Sequence, residues 1–221
     1  MENLIASRPL YRSRIDYAAI VLPVLIWAIA VAVANPLGNF PLQDDWSFSL
    51  TVRHLLETGE FRPLGWTAMS LFGQTVWGAL FCLPFGFSFN ALRASTLVAG
   101  ALTLAALAIL LQLAGCERRK TVVATLILAF NPIFFELNNT FMTDVAFTAF
   151  SAISTLLFCR YLSTRNTVTL VIAILCGCWA IMIRQLGLFL PLAMVLTLLL
   201  ENRRDLRAMT LSVVAVLAGN G

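Results

Sequence analysis

Residues 94–115 read ASTLVAGALTLAALAILLQLAG, twenty-two residues without a charge. As a helix at 1.5 Å per residue this run is about 33 Å long, enough to cross a hydrocarbon core of about 30 Å. Arg93 precedes it, and Glu117 and Arg118-Arg119-Lys120 follow it. A span over 93–115, ending in a basic cluster, is predicted, with that cluster on the cytoplasmic side.

The rest of the chain repeats this pattern. The first apolar run is 17–34, preceded by Arg8, Arg12 and Arg14. Its Ala32-Val33-Ala34 resembles a signal cleavage site, but its core is long for a leader and more apolar runs follow, so a retained span is expected. Further spans are expected at 121–135, where Asn131-Pro132 should introduce a kink, and at 144–161. Residues 166–200 hold one charge in 35 residues, Arg184. One helix of that length would reach about 52 Å, so a hairpin is predicted, with spans at 167–183 and 185–200 and Arg184 at the tip. A seventh run starts at Ala208 and stops at Gly221, so the chain reads as the N-terminal part of a longer architecture.

Composition agrees with this reading. Of 221 residues, 60% are hydrophobic and only 12% charged, about half the charge of a soluble domain, and the mean hydropathy is +0.87. A soluble globular fold, a disordered tail and a disulfide-stapled module are excluded. The net charge of +4 concerns membrane orientation rather than nucleic acid. The five cysteines form no ligand pattern, and with a single His no zinc site is expected. The predicted fold class is all-α: a polytopic helical membrane protein without a separate soluble domain.

Orientation follows from the basic residues. Residues 63–92 lack charge, and 66–83 could pass for a span. If this segment stays at the outer interface, eleven Lys and Arg lie inside. Four then lie outside: Arg53, Arg62, Arg93 and Arg184. If it crosses, the basic clusters split between the two sides. The interfacial placement is therefore preferred. It gives a long outer loop, 35–90, carrying juxtamembrane helices.

On this topology a few ionisable groups gather on the outer face. Asp44 and Asp45 follow the first span and open an amphipathic helix over 46–57, with Phe48, Val52, Leu55 and Leu56 on its apolar side. Asp144 opens a span from outside, and Arg184 sits at the hairpin tip. Each has a plain structural role available. Asp44, Asp45 or Asp144 can cap a helix, Arg184 can snorkel, and His54 should face water. Ionisable groups at membrane depth nonetheless mark functional sites. The set suits an anionic, lipid-linked substrate: a carboxylate as general base, a guanidinium on a phosphate.

The series Leu42-Gln43-Asp44-Asp45-Trp46, Leu55-Leu56-Glu57-Thr58-Gly59, Phe85-Gly86-Phe87-Ser88, Ala91-Leu92-Arg93, Thr143-Asp144 and Arg184-Gln185-Leu186-Gly187 resembles the N-terminal half of the GT-C membrane glycosyltransferases. Within them it looks closest to bacterial relatives of the protein O-mannosyltransferases and of the lipid A aminoarabinose transferase. The resemblance implies a GT-C-like fold and an inverting transfer from a polyprenyl-phosphate sugar. It implies a lipid, glycan or protein acceptor at the periplasmic face of the inner membrane. It places the catalytic acids on Asp44, Asp45 and Asp144 and donor-phosphate contacts on Arg184 and, loosely, Arg62. No cofactor is certain; two or three carboxylates could hold a divalent cation. Three departures stand out: an Asp-Asp pair where many relatives have Asp-Glu or one Asp, Arg where Lys is frequent, and a length at most half that usual for such proteins. A transporter or flippase fragment, with Asp144 and Arg184 as coupling charges, and a non-catalytic membrane scaffold are the competing readings.

Overall fold

The computed structural model describes residues 15–65 and 69–200. Arg8, Arg12, Arg14, Trp66, the cluster Arg203, Arg204 and Arg207, and the run from Ala208 lie outside the described residues. The described residues form helices and no strand, in the order α1 (Ala18–Ala34), α2 (Asp45–Thr58), α3 (Phe72–Cys82), α4 (Phe89–Leu113), α5 (Arg118–Ala129), α6 (Pro132–Asn138), α7 (Thr143–Thr164), α8 (Thr167–Ile183), a 3-10 turn (Gln185–Leu188) and α9 (Phe189–Leu200).

Local chemistry sets the breaks. The side chain of Ser88 accepts from the Asn90 N–H at the head of α4, and that of Asn166 accepts from Val168 N–H at the head of α8. Asn131 caps α6, and Pro132 takes the first helical position, where its missing N–H costs nothing. The expected kink at Asn131-Pro132 is a 65° bend between α5 and α6. Gly59 ends α2 at φ 76°, a left-handed cap that suits glycine.

Two helices, α4 and α7, are long and apolar enough to cross a membrane on their own; α5 and α6 together form a third, broken, candidate. α1, α8 and the run Gln185–Leu200 are apolar and shorter. The packing is that of a membrane protein. Val21, Leu25, Ile29 and Val33 form an exposed stripe along α1, and Leu192, Leu196 and Leu199 do the same on α9. Lipid bears such side chains at no cost. Inside, small and hydroxylated residues let helices approach. Ser154 of α7 donates to the Ala173 carbonyl of α8 (2.8 Å), and Thr103 and Thr125 donate to carbonyls four residues back on their own helices. At Gly100 of α4 a Cβ would lie 1.7 Å from Asn138 Oδ1 of α6, so only glycine permits that approach. This is a polytopic all-α membrane protein.

Contacts define two ends. At one, the Asp16 N–H donates to Gln112 Oε1 (2.8 Å) and Arg118 pairs with Asp16 (3.6 Å), joining the head of α1, the tail of α4 and the head of α5. The opposite end gathers the tail of α1, the head of α4, the α6–α7 turn and the tail of α8. There α3 packs against α4, α8 and the α6–α7 turn. Gly73 rests on Ile183 and the Trp179 carbonyl of α8, Gly78 on Phe141 and Leu92, and Trp77 Nε1 donates to the Ser95 carbonyl (3.1 Å). With eleven residues α3 is about 16 Å long, half the depth of a hydrocarbon core.

Candidate functional site

The loop from α1 to α2 is held from below by one cation. Arg93, in the second turn of α4, is 1% exposed. Its Nη1 donates to the carbonyls of Pro36 (3.0 Å) and Gly38 (2.5 Å), its Nη2 to that of Phe40, and the Phe40 ring lies 5.1 Å from the guanidinium carbon. Asn90 Oδ1 accepts from the Gly38 N–H (2.7 Å), and Asn39 Oδ1 accepts from the Phe89 N–H (3.0 Å). The head of α4 and the loop thus satisfy each other's backbone.

Asp45 fixes the next step. It is 1% exposed. Its Oδ1 accepts from the Leu42 N–H (2.7 Å) and its Oδ2 from the Phe141 N–H (3.1 Å). One carboxylate therefore joins the loop before α2 to the α6–α7 turn. Burial pushes its carboxyl above the usual carboxylate range, while the two N–H donors and the charge of Arg93 pull the other way.

Asp44, its neighbour, is exposed, and its side chain makes no capping hydrogen bond. Gln43 before it has a left-handed backbone, φ 53°, uncommon for a residue with a Cβ. The Gln43 amide donates to Glu136 Oε1 of α6 (2.5 Å).

Three residues beyond the Asp45–Phe141 tie, the second charged group appears. Asp144, in the first turn of α7, accepts at Oδ1 from Arg184 Nη1 (2.8 Å). The two side chains are about one third and one fifth exposed. Arg184 Nε donates to Thr143 Oγ1 (2.9 Å), and Thr143 donates to the Met69 sulfur (3.4 Å). Arg184 sits at an extended break between α8 and the 3-10 turn. Gly187 closes that turn: a Cβ there would lie 2.5 Å from Ile181 N, so the chain doubles back on itself too tightly for any other residue. Ser70 Oγ donates to the Met182 carbonyl (2.8 Å), and Gln74 of α3, 1% exposed, donates to the Met142 carbonyl (3.4 Å).

Of the five residues expected at a site, Asp144 and Arg184 pair directly, and Asp45, with Asp44 beside it, is tied to Phe141 three residues before Asp144. Arg62 is exposed in the stretch after α2 and pairs with none of these carboxylates. Among the described residues no three His, Cys, Asp or Glu side chains gather as a metal would require. His54, expected to face water, is half-buried, with Nε2 out of reach of solvent. Arg93, Glu136 and Gln74 were not among the site residues expected from sequence. Arg93 carried a signal, since it is the one charge at the head of an otherwise uncharged run. Glu136 and Gln74 carried none that spacing reveals.

Chemically, this end of the bundle offers one free carboxylate, one carboxylate locked by backbone donors and one guanidinium with N–H groups to spare. Arg184 uses Nη1 and Nε internally, which leaves Nη2 for an anion.

A family model described as dolichyl-phosphate-mannose-protein mannosyltransferase matches residues 73–219. That region runs from α3 onward and includes Arg93, Glu136, Asp144 and Arg184; Asp44, Asp45 and Arg62 precede it. No curated protein and no solved structure matches the chain. A match over two thirds of the chain, on a bundle of apolar helices, places the protein in the dolichyl-phosphate-mannose-protein mannosyltransferase family, as a membrane glycosyltransferase of the mannosyltransferase type.

Proposed function

We propose that the protein transfers a sugar from a polyprenyl-phosphate donor to an acceptor hydroxyl, on a lipid, glycan or protein, with inversion at the anomeric carbon. The observation that supports this best is the division of labour between neighbouring acids. Asp45 is buried with both oxygens engaged, whereas Asp44 is exposed and uncapped. Asp44 is then the base. It takes the hydroxyl proton as the acceptor oxygen attacks the anomeric carbon. The bond from that carbon to the phosphate oxygen breaks, and polyprenyl phosphate leaves with the electron pair. Arg184 receives the growing charge through Nη2, and Asp144 holds the guanidinium in place. Asp45 acts as a positioning residue. Arg62, exposed on the linker, is a second cation for the donor phosphate.

The balance of basic residues supports a cytoplasmic N-terminus and a site at the periplasmic face of the inner membrane. The test is sugar transfer in membranes supplied with polyprenyl-phosphate sugars. Asp44→Asn should lower transfer by about two to four orders of magnitude with the protein still inserted. Unchanged transfer in Asp44→Asn would move the base, first to Asp144. Absence of transfer by the unsubstituted protein with every donor would overturn the reading.

A further inference from the structure

The backbone on either side of Asp44 is held by contacts from α4 and the α6–α7 turn. Arg93 fixes the loop on its N-terminal side through the carbonyls of Pro36, Gly38 and Phe40. Asp45 fixes the C-terminal side through the N–H groups of Leu42 and Phe141. Between these anchors stands one residue with a left-handed backbone, Gln43. A side chain in that conformation carries strain, and strain persists only where surrounding contacts enforce it. Gln43 lies at the centre of a turn closed by the Asp45 N–H on the Leu42 carbonyl (3.3 Å), and one side-chain contact ties that turn to another helix: the hydrogen bond from the Gln43 amide to Glu136 Oε1. It spans 93 residues of chain between two exposed side chains, so no hydrophobic burial holds the pair together. Glu136 is on α6, the short helix set by the 65° bend after α5. The bend thus delivers a carboxylate to the residue before the candidate base.

We propose that Glu136 is a positioning residue of the transfer reaction: by accepting from the Gln43 amide it holds the left-handed Gln43–Asp44 step and so sets where the Asp44 carboxylate stands. This rests on the reading of Asp44 as the base. Glu136 needs only an acceptor oxygen for the task, not a charge, and that separates positioning from chemistry.

The experiment exchanges the partners. Glu136→Ala removes the acceptor, and Gln43→Glu sets two carboxylates face to face. Glu136→Gln keeps a carbonyl acceptor. The double variant Gln43→Glu with Glu136→Gln rebuilds the bond with donor and acceptor reversed. Glu136→Ala and Gln43→Glu should each lower kcat by about 10- to 100-fold, as small misplacements of a reacting group do, with KM for the donor little changed. Glu136→Gln should transfer nearly as the unsubstituted protein, and the double variant should recover most of what Gln43→Glu loses. A second readout is independent of transfer: carbodiimide coupling of an amine to Asp44, followed by peptide mass mapping. Its rate at Asp44 should change in Glu136→Ala and Gln43→Glu and return in the double variant.

A Glu136→Gln protein as inactive as Glu136→Ala would make the carboxylate itself the working group and overturn the proposal. So would a double variant no better than Gln43→Glu, with unsubstituted protein active. If the unsubstituted protein transfers nothing while Asp44 coupling follows the exchange, the tie stands as a positioning device and the transfer reading is what fails.

Discussion

Asp44 and Asp45 are adjacent and chemically identical, and the structure gives them opposite surroundings. Asp45 faces two backbone donors, so its amide cannot replace it: Asn offers one acceptor oxygen and one NH2, and one N–H would be left facing a donor. Asp45→Asn should therefore cost about 1–3 kcal/mol of stability, the penalty of an unsatisfied buried group, although it removes a buried charge. Thermal unfolding in detergent reads this directly. Its pH dependence has a definite sign. Burial raises the Asp45 carboxyl above its usual value, so between the usual and the raised pKa the folded chain holds a proton that the unfolded chain has released. The contribution of this group is then stabilising as pH falls through the raised pKa, and is complete below the usual carboxylate value. Asp45→Asn should abolish that increment. At Arg184, Lys keeps the charge but not the fork. One ammonium cannot hold Asp144, Thr143 and a phosphate in the same plane. Arg184→Lys should raise the donor KM and lower transfer about 10-fold, measured by steady-state kinetics in membranes.

At the scale of elements, the site is made by helix ends rather than helix faces. The tail of α8, the head of α7, the head of α4 and the bend between α5 and α6 all contribute, and three of the four are marked by a local signal. Ser88, Asn131-Pro132 and Gly187 are legible as such signals in sequence. The 3-10 turn is the most exacting of them. Gly187 meets the backbone of Ile181 and Ala180, which has no rotamer with which to yield. Gly187→Ala should lower stability by about 1–3 kcal/mol, as overpacking does, and should displace Arg184 from Asp144. Loss of transfer together with a lower Tm is the expected pair of results. An unchanged Tm would show that the turn opens without cost. Arg93 illustrates what pattern reading misses. Its position before an apolar run suggests a flanking charge at the interface. The fold instead buries it as the hub of three carbonyls, which gain their donors from its guanidinium.

For the whole molecule, the exposed apolar stripes on α1 and α9, with small and hydroxylated residues among those buried between helices, describe a chain solvated by lipid. In the orientation we propose from the distribution of Lys and Arg, the end that holds Asp44 faces the outside. In a variant without the native cysteines, Gln43→Cys should react with a membrane-impermeant maleimide added to intact spheroplasts. Labelling only after lysis would invert the assignment and place the site on the cytoplasmic side.

Some of this was determined by sequence alone. Apolar runs of 20 or so residues between basic clusters fix the membrane class, because hydrocarbon admits only helices whose backbone groups are satisfied within the segment. The ionisable residues are rare enough in such a chain that Asp44, Asp45, Asp144 and Arg184 could be singled out without coordinates. Tertiary structure alone decided which of them are free. That Asp45 is locked to the Phe141 N–H, that Arg184 pairs with Asp144, and that Glu136 reaches Gln43 are contacts across 96, 40 and 93 residues of chain. Helical periodicity reports only neighbours three and four residues apart. Partners that distant are chosen by how the helix ends meet, and no local pattern records that choice.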